Sequence, residues 1–268
     1  MTAENGAVTS TSTKTHTFAN GDQMHLLGLG TWKSEPGDVG QAVREAIRIG
    51  YRHIDCASFY GNEAEVGRAL RDSGLDRGDV FVTTKLPPSR AGQERATLRA
   101  SLRALGTEYV DLWLVHWPPA ARSLVPVWQE FLALRGEGAA RAVGVSNYSI
   151  AQMELLIRAT GQAPAANQIT WGPTLYDAGL LAASRGLGVV VEGYSPLKNT
   201  NLADPVLVEI AARHGVTPAQ VVLRWHIEHE VVVIPKSARP ARIAANIDLF
   251  GFALTADEVA AIDGLGAR

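Results

Sequence analysis

The chain has 268 residues, 46% hydrophobic and 19% charged, the composition of a folded soluble protein with a sizeable core, and this excludes disorder as its main state. Its 25 Lys and Arg against 27 Asp and Glu leave a formal charge of −2, so no global field draws it to nucleic acid or anionic lipid. One cysteine, Cys56, excludes an internal disulfide and a multi-thiolate zinc site and fits a reducing compartment, the cytoplasm by default.

Residues 1–17 are mostly Thr, Ser, Ala, Asn and Gly, without the basic start and apolar run of an export signal, and read as a loose tail. No apolar stretch reaches the roughly 20 residues of a bilayer-spanning helix, so no membrane insertion is expected. Residues 15–18 and 24–27 flank the turn signal Ala-Asn-Gly-Asp and predict a hairpin. Short apolar runs then predict eight strands, at 28–32, 52–55, 80–85, 110–116, 142–146, 165–169, 189–194 and 231–234. Helical spacing falls between them at 39–49, 63–72, 94–105, 124–134, 150–158, 178–184 and 205–227, with a last helix over 256–262. This alternation predicts an α/β fold with a parallel sheet, and eight units favour a closed (β/α)8 TIM barrel over an open doubly wound sheet. One domain over 18–268 is the simplest organisation.

A barrel assembles its active site from the carboxyl ends of its strands and the loops that follow. Asp55 ends the run RHID, Tyr60 lies in the loop after it, Lys85 ends VFVTTK and His116 ends VDLWLVH. Alternate side chains share a strand face, which carries Lys85 and His116 toward one barrel mouth. There, a protonated Lys85 is expected to lower a phenol pKa that is ordinarily about 10, while Asp55 keeps the ammonium charged. His116 is placed to orient and polarise a carbonyl. Singly these residues read as a cap, a packed ring, a snorkelling cation and a satisfied imidazole. Their joint occurrence after three successive strands points to protonation of an oxygen as charge develops on it.

After the tail the chain resembles the aldo-keto reductase family. The carrying segments are GYRHIDCASFYGNE at 50–63, with Cys56 where Thr is common, VTTKLP at 82–87 and VDLWLVHWP at 110–118. The resemblance implies Asp55, Tyr60, Lys85 and His116 as the catalytic set, with hydride from NADPH and a proton from Tyr60. It also implies that Ser146, Asn147 and Gln168 hold the nicotinamide carboxamide, that Tyr194 stacks on the ring, and that Ser195 and Leu197 lie toward the pyrophosphate. In VIPKSARPARIAAN, at 233–246, it implies Lys236, Ser237 and Arg242 as a clamp on the 2′-phosphate. Cationic groups and a helix start near Pro240 suit such a dianion. Asn246 matches an adenine-side contact, although Ala245 stands where the family often has Glu. Thr31 matches a position near the cofactor, and Trp32 and Trp117 match substrate-lining positions.

Gly28-Leu29-Gly30 does not complete a dinucleotide fingerprint, since position 33 is Lys33. His226, Glu228, His229 and Glu230 read as a charged helix end, and no metal is expected. Thr170, Trp171, Gly172 and Pro173 replace a familiar family continuation. With Arg268 soon after the last helix, a short substrate lid and an open pocket are expected. In these features the chain resembles the short-loop bacterial members that reduce sugar-derived ketones, such as diketo-gluconate reductases. The expected partner is a small-molecule carbonyl and the expected state a monomer. Two other readings stay open: a cofactor-binding regulatory subunit, as among potassium-channel β members, and a Schiff-base lyase using Lys85.

Overall fold

The computed structural model describes residues 14–18, 21–34, 37–120 and 123–267. Most of the expected tail, 1–13, and part of the expected hairpin turn, Ala19 and Asn20, lie outside the described residues. Strand β1 (Thr15–Thr17) nonetheless pairs antiparallel with β2 (Gln23–His25), Thr15 facing His25.

The expected parallel sheet follows. It comprises β3 (Leu29–Gly30), β4 (His53–Asp55), β5 (Phe81–Leu86), β6 (Val110–Val115), β7 (Ala140–Ser146), β8 (Ala166–Thr170), β9 (Val190–Tyr194) and β10 (Val232–Ile234), with sequence neighbours adjacent throughout. Leu27 bridges Val233 in parallel, and the Gly28 and Gly30 N–H groups donate to Val233 O and Pro235 O, which brings the first and last strands together in a nearly closed (β/α)8 barrel. The paired glycines have a packing reason. A Cβ on Gly28 would sit 2.6 Å from His53 Nδ1, and one on Gly30 would sit 2.9 Å from Ile234 O. They allow close approach at this seam.

Outside the sheet lie α1 (Asp38–Arg48), α2 (Glu63–Asp72), α3 (Glu94–Leu105), α4 (Leu124–Gly136), α5 (Ile150–Thr160) and α6 (Ala178–Gly186). In α1, Val39, Ala42, Val43, Ala46 and Ile47 are buried, the i, i+3, i+4, i+7, i+8 stripe of a helix with one apolar face. A capping box of Ser149 and Gln152 starts α5.

The continuous helix expected over 205–227 is instead two, α7 (Pro205–His214) and α8 (Pro218–Glu228). Gly215 adopts φ +66° as the cap of α7, Thr217 caps α8 through Gln220, and Pro218 takes the first helical position, where its missing N–H costs no bond. The remaining helices are α9 (Pro240–Ile247) and α10 (Ala256–Asp263). Trp171, Leu181, Trp225 and Ile262 belong to a second apolar cluster beneath α6, α8 and α10. Among the described residues no helix is long and apolar enough to cross a membrane.

Gly28→Ala is expected to lower the unfolding free energy by ~1–3 kcal/mol through overpacking against the fully buried His53. Urea denaturation checks this, and an unchanged midpoint contradicts the close-packed seam.

Candidate active site

Strands β4 and β5 lie side by side, Asp55 in register with Thr83, two residues before Lys85 on the same face. Lys85 is fully buried, and its Nζ lies 2.7 Å from both Asp55 carboxylate oxygens, 2.8 Å from Cys56 O and 3.4 Å from the Tyr60 hydroxyl. Burial alone pulls an ammonium pKa down. The charge of Asp55, then that of Tyr60, and the hydrogen bond to Asp55 outweigh it and hold Lys85 above the ordinary lysine range.

Tyr60 corrects the expectation of a lowered phenol. Burial, ahead of the opposing charge of Lys85, pushes it up to about 12, and Asp55 adds to the rise. Asp55 offsets part of the attraction of Lys85, and what remains does not make up for the hydration a phenolate loses in this site. For His116, burial first and Lys85 second push the imidazole down to about 3, leaving it neutral at ordinary pH. The rings of Tyr60 and His116 lie 5.6 Å apart, and Trp32 lies 4.8 Å from Tyr60.

These side chains meet a cavity of about 850 Å3 at the carboxyl ends of the strands. Asp55, Tyr60 and His116 line it, whereas Lys85 sits behind them. Trp32, Phe59 and Trp117 form exposed aromatic walls at 43%, 64% and 49% accessibility. Another hollow, of about 650 Å3, opens where β7, β8 and β9 begin and holds none of the four residues.

The residues expected to hold nicotinamide form one hydrogen-bonded chain with the buried ion pair. The Tyr194 hydroxyl donates to Asn147 Oδ1 at 3.0 Å, and Asn147 Nδ2 donates to Ser146 Oγ at 2.9 Å and to His116 O at 3.2 Å. Ser146 Oγ donates to Gln168 O at 2.7 Å, and Gln168 Nε2 donates to Asp55 Oδ2 at 2.8 Å. Buried Thr31 donates its hydroxyl to Asp55 O at 3.0 Å. Lys33, Asn147 and Ser195, all lining the cavity, adopt φ of +54°, +62° and +54°, an uncommon region for non-glycine residues.

The residues expected at the 2′-phosphate lie farther out. Lys236 lines the cavity, while Ser237 is buried and its Oγ accepts from the Arg239 N–H at 3.1 Å just ahead of α9. Arg242 is exposed in the first turn of α9, Asn246 is buried near its end, and Leu197 is half-buried after β9. Arg239, which the sequence reading passed over, adds a third cation at the same helix start.

Glu192 and His53 were also missed. Glu192 on β9 is fully buried in register with Gln168, its Oε1 3.8 Å from His53 Nε2, and neither carboxyl oxygen has a hydrogen-bond partner among the described residues. Burial, then the charge of Asp55, pushes its carboxyl up to about 8. Period-two alternation carried the signal, because a strand that turns Tyr194 toward the site turns Glu192 the same way.

The residues read as a charged helix end have separate engagements: His226 with Val222 O, Glu228 with Arg224 and His229 with Asp263. Among the described residues no three His, Cys, Asp or Glu gather to hold a metal ion. Buried Cys56 donates its thiol to Thr83 O at 3.1 Å.

The sequence model of the aldo/keto reductase family matches residues 26–267, and the chain belongs to that family. An aldo-keto reductase of Mycolicibacterium smegmatis is 43% identical, covering 93% of this chain and 92% of its own. Morphine 6-dehydrogenase of Pseudomonas putida is 44% identical over 92% of this chain and 89% of its own. The crystal structure of an aldo/keto reductase from Brucella melitensis superimposes with a TM-score of 0.91 at 40% identity, covering 95% of this chain and all of that one. The protein is thus an oxidoreductase acting on carbonyl groups, in a family that generally uses a nicotinamide cofactor.

Removing the ammonium by Lys85→Met leaves Asp55 buried without its counter-ion and is expected to lower stability by ~3–5 kcal/mol. Thermal or urea unfolding tests this, and a loss under about 1 kcal/mol contradicts a tightly balanced pair.

Proposed function

We propose that the chain reduces the carbonyl of an aldehyde or ketone to the alcohol, with NADPH as hydride source and Tyr60 as proton donor. The observation that carries this reading is the buried Lys85 ammonium, clamped by both Asp55 oxygens at 2.7 Å and set 3.4 Å from the Tyr60 hydroxyl beside the cavity. Bound NADPH supplies hydride to the carbonyl carbon.

The protein's own groups manage the oxygen. A phenol pushed up to about 12 keeps its proton throughout the neutral range and gives it up only to a stronger base, the oxygen that turns alkoxide-like as hydride arrives. Lys85 then stabilises the nascent phenolate. Neutral His116 donates one ring N–H to the same oxygen and fixes which way the carbonyl points. Trp32 and Trp117 form the substrate walls.

The donor set fits NADPH. Gln168, Ser146 and Asn147 offer amide and hydroxyl groups suited to a carboxamide, and Tyr194 offers a ring face. Thr31, Ser195 and Leu197 border the path outward, and Asn246 meets the adenine side. Lys236, Ser237 and Arg242 take the 2′-phosphate at the start of α9, where the cations and the positive end of the helix dipole suit a dianion.

Monitoring NADPH oxidation across aldehydes, α-dicarbonyls, keto sugars and aromatic ketones tests the proposal, and no turnover with any of them overturns it. Tyr60→Phe keeps the ring and removes the proton. It is expected to lower kcat about 100- to 10,000-fold while NADPH affinity changes little, and unchanged turnover removes Tyr60 from the role. Lys236→Ala with Arg242→Ala is expected to weaken NADPH binding about tenfold or more beyond any effect on NADH, whereas equal losses contradict the clamp.

A further inference from the structure

Glu192 is a buried ionisable group that the mechanism above leaves unused. Glu192 lies fully buried in the barrel interior, and its register partner Gln168 donates its side-chain amide to Asp55 Oδ2 at 2.8 Å. Two carboxyl groups therefore flank one amide, and the ammonium of Lys85 is already held by both oxygens of Asp55. Among the described residues, the groups facing Glu192 supply no second cation. From β4 come His53 and Asp55, from β5 Lys85, from β8 the non-ionising Gln168, and its β10 register partner is Val232. His53 is kept neutral, since burial, followed by the charge of His25, pushes its imidazole down to about 3. His226 from α8 lies against Gly193, where its ring atoms would meet an added Cβ, and it too is pushed down by burial, to about 4.

Two like charges sharing one counter-ion in a dry interior do not both persist, so one carboxyl retains its proton. The direct ion pair with Lys85 belongs to Asp55; Glu192 has only the Gln168 amide in reach, which does not offset its burial, and it keeps the proton.

We propose that Glu192 is a positioning residue of the reductase centre, holding a proton while Asp55 alone balances Lys85, and that its ionisation shuts down carbonyl reduction at alkaline pH. The ionisation releases one proton to solvent and leaves one extra negative charge behind the Lys85–Asp55 pair. That charge opposes formation of a phenolate on Tyr60 and so opposes proton transfer to substrate oxygen. The inference rests on the reading of Tyr60 as proton donor.

Glu192→Gln, which keeps the shape and cannot ionise, is compared with the unmodified protein in two measurements. The first needs no turnover. Where the unfolded chain has released the Glu192 proton and the folded chain still holds it, from about pH 4.3 to the folded value of about 8, folding stability falls as pH rises. The folding constant of the unmodified protein is expected to drop by up to about tenfold per pH unit relative to the variant across that window. Burial also raises the carboxyls of Glu63 and Asp111, but these are common to both proteins and cancel. The second measurement is kcat for carbonyl reduction against pH. The unmodified protein is expected to lose up to about tenfold per unit on its alkaline limb, and the variant to hold its rate further up.

Parallel stability curves overturn the proposal by showing that Glu192 carries no extra proton. Diverging stability curves with superimposed alkaline limbs overturn it by separating that proton from catalysis. An unmodified protein that reduces no carbonyl sinks the reductase reading, and the stability curves still decide the protonation of Glu192. Glu192→Met, of similar volume and equally unable to ionise, replaces the glutamine variant if that one does not fold.

Discussion

A lysine ammonium with no exposure to water is the constraint on which the rest of this molecule turns. Unpaired in such a place, the charge would cost several kcal/mol or be discharged by loss of the proton. It persists because Asp55 presents both oxygens to it at 2.7 Å and Cys56 adds a backbone carbonyl. That arrangement needs β4 and β5 paired in one register, Thr31 and Gln168 holding Asp55 from either side, and a barrel closed tightly enough to keep the interior dry. The proposed chemistry draws on the same contact, because it sets a fixed positive charge 3.4 Å from the Tyr60 hydroxyl.

The site is continuous with the fold. From Tyr194 through Asn147, Ser146 and Gln168 to Asp55 and Lys85, successive hydrogen bonds run across strands β9, β7, β8, β4 and β5. Residues far apart in sequence are therefore positioned against one another. A disturbance at Tyr194 on one side of the cavity meets the ion pair through few intermediates.

Much of this was legible in the sequence. Alternating apolar runs and helical stretches indicated the barrel, and polar residues ending three successive runs marked the mouth where Asp55, Tyr60, Lys85 and His116 meet. Other features escaped. The break between α7 and α8 is encoded in Gly215, Thr217 and Pro218, but the apolar periodicity on both sides masks it. The direction of the Tyr60 shift depends on how completely Asp55 already neutralises Lys85, a balance of burial and distance that residue types do not carry. Glu192 hid inside an apolar run, where a lone carboxyl reads as an outward-facing residue until the inward orientation of Tyr194 fixes the parity of the strand.

The left-handed backbone at Lys33, Asn147 and Ser195 has a consequence of its own. Each such residue holds a conformation that glycine adopts freely, at a cost on the order of 1 kcal/mol or more. The rim thus forgoes thermal robustness to keep an ammonium, an amide and a hydroxyl where they stand. An engineer seeking heat resistance would find an easy gain at these three positions, and taking it would strip the rim of the side chains that give it its character.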